Sequence, residues 1–171
     1  MKHAIRLIAM MAACLILSAC SIVSYSFSGT SIQADVKTVT IAEFEYKALR
    51  VNPSLANDMS EQLRNQFRRM TRLEQVDMDG DLEISGTITG YEVRATAVTA
   101  NETAAQNRLT VSISVNFMNR LYPEDSFENK NFSAYADFDA TQSLDAVESS
   151  LCEEILDKLI DDIFNATVAQ W

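Results

Sequence analysis

Residues 82–91 read LEISGTITGY and residues 108–117 read RLTVSISVNF, and the way these two stretches alternate decides the fold. Leu82, Ile84, Gly86, Ile88 and Gly90 alternate with Glu83, Ser85, Thr87, Thr89 and Tyr91. Leu109, Val111, Ile113, Val115 and Phe117 alternate with Arg108, Thr110, Ser112, Ser114 and Asn116. A period of two sends successive side chains to opposite faces, so each stretch predicts a strand with one core face and one Ser/Thr-rich face. The polar, alanine-rich connection between them, Ala95 to Gln106, is longer than an ordinary hairpin loop. After a polar turn around Tyr122, Pro123, Glu124 and Asp125, FSAYADF over residues 132–138 repeats the pattern. The sheet is predicted to be largely antiparallel.

Helical periods flank this sheet. Leu55, Met59, Leu63, Phe67 and Met70 recur on one helix face behind Asn52, a good N-cap, and Pro53, which suits the first helical position. Arg64, Arg68, Arg69 and Arg72 crowd the last turns, where cations suit the negative end of the helix dipole. A basic patch for phosphorylated lipid headgroups is the alternative use of the same residues. At the C-terminus Leu144, Val147, Leu151, Ile155, Leu159 and Ile163, flanked by Cys152, Leu156, Ile160 and Phe164, predict a long helix with a wide apolar stripe, capped by Thr141 or Ser143. Asp157, Asp161 and Asp162 oppose its dipole, so packing must hold it. Upstream, KTVTIAEFEY (37–46) reads as a strand and YSFSGTSI (25–32) as an edge strand. Together these elements predict an α+β two-layer sandwich: a sheet of about four strands with two helices packed on one face.

The chain carries 24 acidic and 14 basic residues in 171, a net charge of −10, which argues against nucleic acid as a partner. With 47% hydrophobic residues it is too apolar to be disordered. Its N-terminus places Lys2 and Arg6 before an apolar run from Leu7 to Leu17, too short to span a bilayer and typical of a signal peptide. Leu17-Ser18-Ala19-Cys20 resembles the bacterial lipobox. That resemblance implies a signal peptide at 1–19, an acylated Cys20 as mature N-terminus, a tether at 20–24 and one domain at 25–171. Removing Lys2 and Arg6 with the signal leaves 152 residues with 12 basic against 24 acidic side chains, net −12. Ser21 stands where an Asp would retain a lipoprotein in the inner membrane, so sorting analogy points to the periplasmic face of the outer membrane.

The inventory of catalytic groups is thin. The one histidine, His3, leaves with the signal, and with it every His-based triad, shuttle or metal ligand. Cys14 leaves as well, Cys20 is acylated, and Cys152 remains without an intrachain partner, read as a buried structural thiol. Asp77-Met78-Asp79-Gly80-Asp81 starts like a calcium loop, but its Gly is at position 4 instead of 6 and position 12 is Ile88, so it reads as a turn and no metal is assigned. There is no Gly-rich phosphate loop, CxxC, HExxH or nucleophile elbow, and no cofactor is implied. A pair of carboxylates is the one catalytic device left open. The expectation is a protein that is not an enzyme.

Several stretches resemble one family, the lipopolysaccharide-assembly lipoprotein LptE in its form outside the enteric bacteria. YSFSG after Cys20 is similar to the family's aromatic segment, and NPSLANDMSEQLRNQF (52–67) to its first helix. GDLEISGTITGYEV (80–93) and AAQNRLTVSISVNFMN (104–119) resemble the central strand pair, and FSAYADFD (132–139) with LCEEILDKLIDDIFNATVAQW (151–171) the last strand and helix. The extra Ile22-Val23-Ser24 before YSFSG departs from the pattern. The resemblance implies a non-enzymatic, outer-membrane-anchored protein that occupies the lumen of the LptD β-barrel and helps place lipopolysaccharide in the outer leaflet. Lipopolysaccharide is anionic, so contact with it needs local cations; Arg94 and Arg108, at one end of the sheet, are the candidates. The competing expectation is a solitary periplasmic lipoprotein holding an amphiphile between helices and sheet, which a large apolar cavity there would favour.

Overall fold

The computed structural model describes residues 32–96 and 105–168. The 1–19 signal, the 20–24 tether with Cys20, all of YSFSGTSI except Ile32, and most of the Ala95–Gln106 connection lie outside the described residues. In chain order the elements are β1 (Thr38–Ile41), β2 (Glu45–Tyr46), α1 (Leu55–Met70), β3 (Glu74–Gln75), β4 (Leu82–Ala95), β5 (Gln106–Asn119), a 3-10 turn (Pro123–Asp125), β6 (Phe127–Asp139) and α2 (Leu144–Val168).

The α+β class holds, but the sheet is larger than expected and mixed. Among the described residues its six strands run β3-β1-β4-β5-β6, with β2 also paired to β4. Antiparallel pairing is confined to β4, β5 and β6, whereas β1 lies parallel to both β3 and β4, and β2 parallel to β4. The parallel part arises because α1 is a crossover: it carries the chain from the β1 edge back to the same end, so β3 returns alongside β1 in the same direction. β2 and β3 have two residues each, too few to show a period in sequence. The 37–46 strand is also broken at Ala42–Phe44, where Phe44 turns into the core.

The long β4–β5 hairpin is registered from Leu82 opposite Asn119 to Ala95 opposite Asn107. A bulge between Ile88 and Gly90 resets the alternation. Gly90 therefore stands opposite Ser112 on the polar face, and Tyr91, opposite Val111, enters the core at 3% exposure. This corrects the uninterrupted alternation expected for 82–91.

Both helices cover the apolar face. α1 buries Leu55, Met59, Leu63 and Phe67, but Met70 is half exposed because the chain turns extended at Thr71. Its N-cap is Ser54, not Asn52: the Ser54 carbonyl accepts the first helical bond, from Asp58 N–H at 2.9 Å. Asn52 instead directs its amide to Cys152 Sγ at 3.7 Å. The predicted stripe of α2 is buried from Leu151 to Phe164, with Leu144 and Val147 partly covered. Phe67 meets Phe164 edge-on at 5.1 Å between ring centroids, locking helix to helix. Ser60, fully buried, accepts the Phe44 N–H at 2.9 Å and donates to the Ala56 carbonyl at 2.7 Å, so its hydroxyl is satisfied.

Candidate docking face

With the helices on one side, the other side of the sheet presents a polar face. Ser85 and Thr87 of β4, Thr110, Ser112, Ser114 and Asn116 of β5, and Asn131, Ser133, Tyr135 and Asp137 of β6 lie on it, as the registers require. Among the described residues its hydroxyls bond to their own sheet in a few places: Ser112 and Ser133 share one bond at 3.1 Å, Thr89 donates to the Ser112 carbonyl at 3.3 Å, and Ser133 lies 3.3 Å from the Val111 carbonyl, to which it can donate. Most of this surface is thus free to offer donors and acceptors to a polar partner.

Charge gathers at both ends of the face. At one end Arg94 and Arg108 stand directly opposite each other on β4 and β5. Two cations so placed repel, and each is offset by its own carboxylate. Arg108 donates from Nε and Nη2 to Asp137 at 2.7 and 2.8 Å, and its guanidinium lies 3.6 Å from the centroid of the Tyr135 ring. The hydrogen bond from Arg108 holds the Asp137 carboxyl below its ordinary pKa, and the reciprocal bond raises that of the guanidinium. Arg94 bonds to Glu92 at 2.6 Å and keeps 79% of its side chain exposed, which leaves it the freer of the two. At the other end Arg120 bridges Asp79 at 2.9 Å and Glu83 at 2.5 Å. It lines a groove of about 830 Å³ with Asn116, Met118, Phe127 and Asn129.

Other candidate residues resolve into structural roles. Arg64 donates twice to the Ile41 carbonyl, at 3.2 and 3.0 Å, tying α1 to β1. Arg68 bonds to Asn65 and Gln75, and Arg69 to Gln66. The Asp77–Asp81 turn is a clamp: Asp81 accepts the backbone N–H groups of Lys37 and Thr38, both at 2.9 Å, and Thr40 Oγ1 accepts the Gly80 N–H at 3.0 Å. Among the described residues no group of acidic, His or Cys side chains is arranged to hold a metal ion. Cys152 is buried, which pushes its thiol pKa up. The Tyr91 hydroxyl is 3.7 Å from Cys152 Sγ and bonds to Glu148; burial first, and then that bond, raise its pKa. A protonated thiol in this setting packs and does not attack. Sequence reasoning missed Asp137 and Tyr135 as the partners of Arg108, because cross-strand register is not written in either strand alone.

The order of elements, the helix pair and the polar face agree with one family. The model of the LptE lipopolysaccharide-assembly family matches residues 36–167. The chain belongs to the LptE family. No curated protein sequence matches it. Among solved structures, this LptE chain resembles the hypothetical protein CT253 of Chlamydia trachomatis, at 8% identity and a TM-score of 0.52 over 78% of this chain and 99% of that one. It also resembles a minor lipoprotein of Acinetobacter baumannii, at 14% identity and a TM-score of 0.45 over 75% and 89%. A third is lipoprotein B of Nitrosomonas europaea, at 11% identity and a TM-score of 0.46 over 77% and 85%. At these identities the structural likeness bears on the fold alone.

Proposed function

We propose that this LptE chain is an outer-membrane lipoprotein, anchored at the periplasmic face through acylated Cys20, that seats against an LptD-like β-barrel and assists lipopolysaccharide assembly without catalysing a reaction. The observation that carries this reading is the family match over residues 36–167. The polar sheet face supports it, since the wall of a wide barrel's lumen is itself polar. The groove of about 830 Å³ lies at an end of the sheet, whereas the core between sheet and helices is filled by Phe67, Ile155 and Leu159. That placement favours docking over a solitary amphiphile carrier. Arg94 and Arg108 are proposed to meet the lipopolysaccharide phosphates, Arg94 directly and Arg108 from a position fixed by Asp137 and Tyr135. Depletion of the protein should lower surface lipopolysaccharide and sensitise cells to large apolar antibiotics. Unchanged surface lipopolysaccharide on depletion would overturn the reading.

A further inference from the structure

The groove beside Arg120 is floored by two cross-strand pairs at one end of the polar face, Glu83 opposite Met118 and Ser85 opposite Asn116. Its wall is a break in the β5–β6 ladder. Between the pairs Phe117–Phe127 and Val115–Lys130, two residues of β6, Glu128 and Asn129, stand against Asn116 alone. Asn129 holds this bulge in the left-handed region, at a φ of 51°, and donates its N–H to Asn116 Oδ1 at 2.7 Å. Pro123 closes the groove at the turn into β6. At about 830 Å³ the space has the size of a ligand pocket.

Its surface is apolar in part and one-sided in charge. Met118, 43% exposed, and Pro123 offer apolar contact, and a methionine thioether adapts to side chains of different shape. Arg120 is engaged by both Asp79 and Glu83, and Glu128, exposed on the wall, has no ion pair among the described residues. Three carboxylates against one guanidinium leave a local charge of −2. Lys130 does not line the groove; its ammonium lies 4.8 Å from the centroid of the Phe127 ring. A phosphate would be repelled here, unlike at the Arg94–Arg108 end, which strand geometry puts about 36 Å away along β4. The complement of this groove is both apolar and cationic. Residues 20–31 carry no charged side chain and do not supply it.

We infer that the groove receives a basic stretch of a partner polypeptide, with aliphatic side chains on Met118 and Pro123 and a Lys or Arg beside Glu128. A chain that alternates apolar and cationic side chains satisfies both linings at once, which neither a neutral glycan nor an anionic lipid does. The face then carries two recognition ends of opposite sign, cationic at Arg94 and anionic at Glu128. The inference stands apart from the transport reading, and its test uses neither a barrel nor lipopolysaccharide.

Heteronuclear NMR on the full mature chain tests it with two acetylated and amidated pentapeptides, KLKLK and ELELE. The expected result is saturable shifts from KLKLK at the amides of Ser85, Asn116, Met118 and Asn129, and none from ELELE. Affinity should fall about fivefold or more in Glu128→Lys and in Met118→Asn, both at exposed positions, and stay unchanged in Asp157→Lys on the outer face of α2. Shifts spread over the whole acidic surface, or an equal loss in Asp157→Lys, would reduce the binding to bulk charge and overturn the inference. So would the absence of any shift from KLKLK. Shifts at the same amides from maltohexaose would assign the groove to a glycan, and shifts on concentrating the protein alone would assign it to a second copy; either result overturns the inference as well.

Discussion

Gly86 lies on the core face of β4, and the ring of Phe44 rests against it. A Cβ added there would overlap Phe44 Cε1 and sit 2.8 Å from Cδ1 and 2.9 Å from Cζ. Carbon atoms pack at about 3.5–4.0 Å, so in Gly86→Ala the ring must withdraw by more than about 1 Å. It has nowhere to go: Phe44 is 3% exposed, its N–H is held by Ser60 Oγ, and β1 and β2 on either side of it are both paired with β4. Overpacking of this kind costs about 1–3 kcal/mol, while loss of glycine's freedom in the unfolded chain returns about 0.4–1 kcal/mol. The clash at Cε1 places the overpacking in the upper half of that range, so the net is a destabilisation of about 1–2.6 kcal/mol, or a fall in melting temperature of about 2–10 °C for a chain of this size. Urea denaturation and thermal melting of Gly86→Ala, Phe44→Leu and the double variant form a cycle, in which the alanine should cost less once the ring is gone. A neutral or stabilising Gly86→Ala, or the same cost in both backgrounds, would refute the reasoning.

Cys152→Ser should cost roughly 1–3 kcal/mol in urea denaturation, because the shorter hydroxyl bond retreats from Tyr91 and Asn52, and should leave surface lipopolysaccharide unchanged where the protein folds. In the wild type a thiol reagent should label Cys152 only as the protein unfolds. Charge reversal at Arg94 or Arg108 should lower lipopolysaccharide delivery severalfold while moving the melting temperature little, since both pairs face solvent; a large loss of stability with intact delivery of the folded fraction would count against the proposed contact. Backbone donation, from Lys37 first and then Thr38, lowers the Asp81 pKa, so its contribution to stability is present above the ordinary carboxyl pKa and is lost as pH falls through the lower folded value. Asp81→Asn should therefore flatten the acid limb of a melting-temperature profile below the ordinary carboxyl pKa.

The parts of the fold legible in sequence were those with long, one-sided periods. Ile84 through Phe117 announced β4 and β5, and Leu151 through Phe164 announced α2, because burial of one face leaves a repeating mark over many turns or pleats. β2 and β3 left none, since two residues cannot establish a period and their pairing is set by where α1 and Phe44 send the chain. The bulge at Thr89 was hidden for a different reason: an extra residue changes which face Tyr91 takes without changing composition. Of the candidate site, the Ser/Thr face was legible from alternation. Arg94 and Arg108 were placed correctly at one end of it, but their direct opposition and the Asp137–Tyr135 seat of Arg108 depend on register across three strands. Asn52 looked like a cap by residue type; the start of α1 at Leu55 left it free to reach Cys152.

The central claim, that this LptE chain works held against a barrel, is tested most directly by gentle detergent extraction of the native protein carrying a C-terminal tag, followed by identification of what remains bound. The account predicts a stable complex with an LptD-like outer-membrane β-barrel, in near-stoichiometric amount and surviving mild detergent. Recovery of the protein alone, carrying a tightly bound amphiphile, would contradict it.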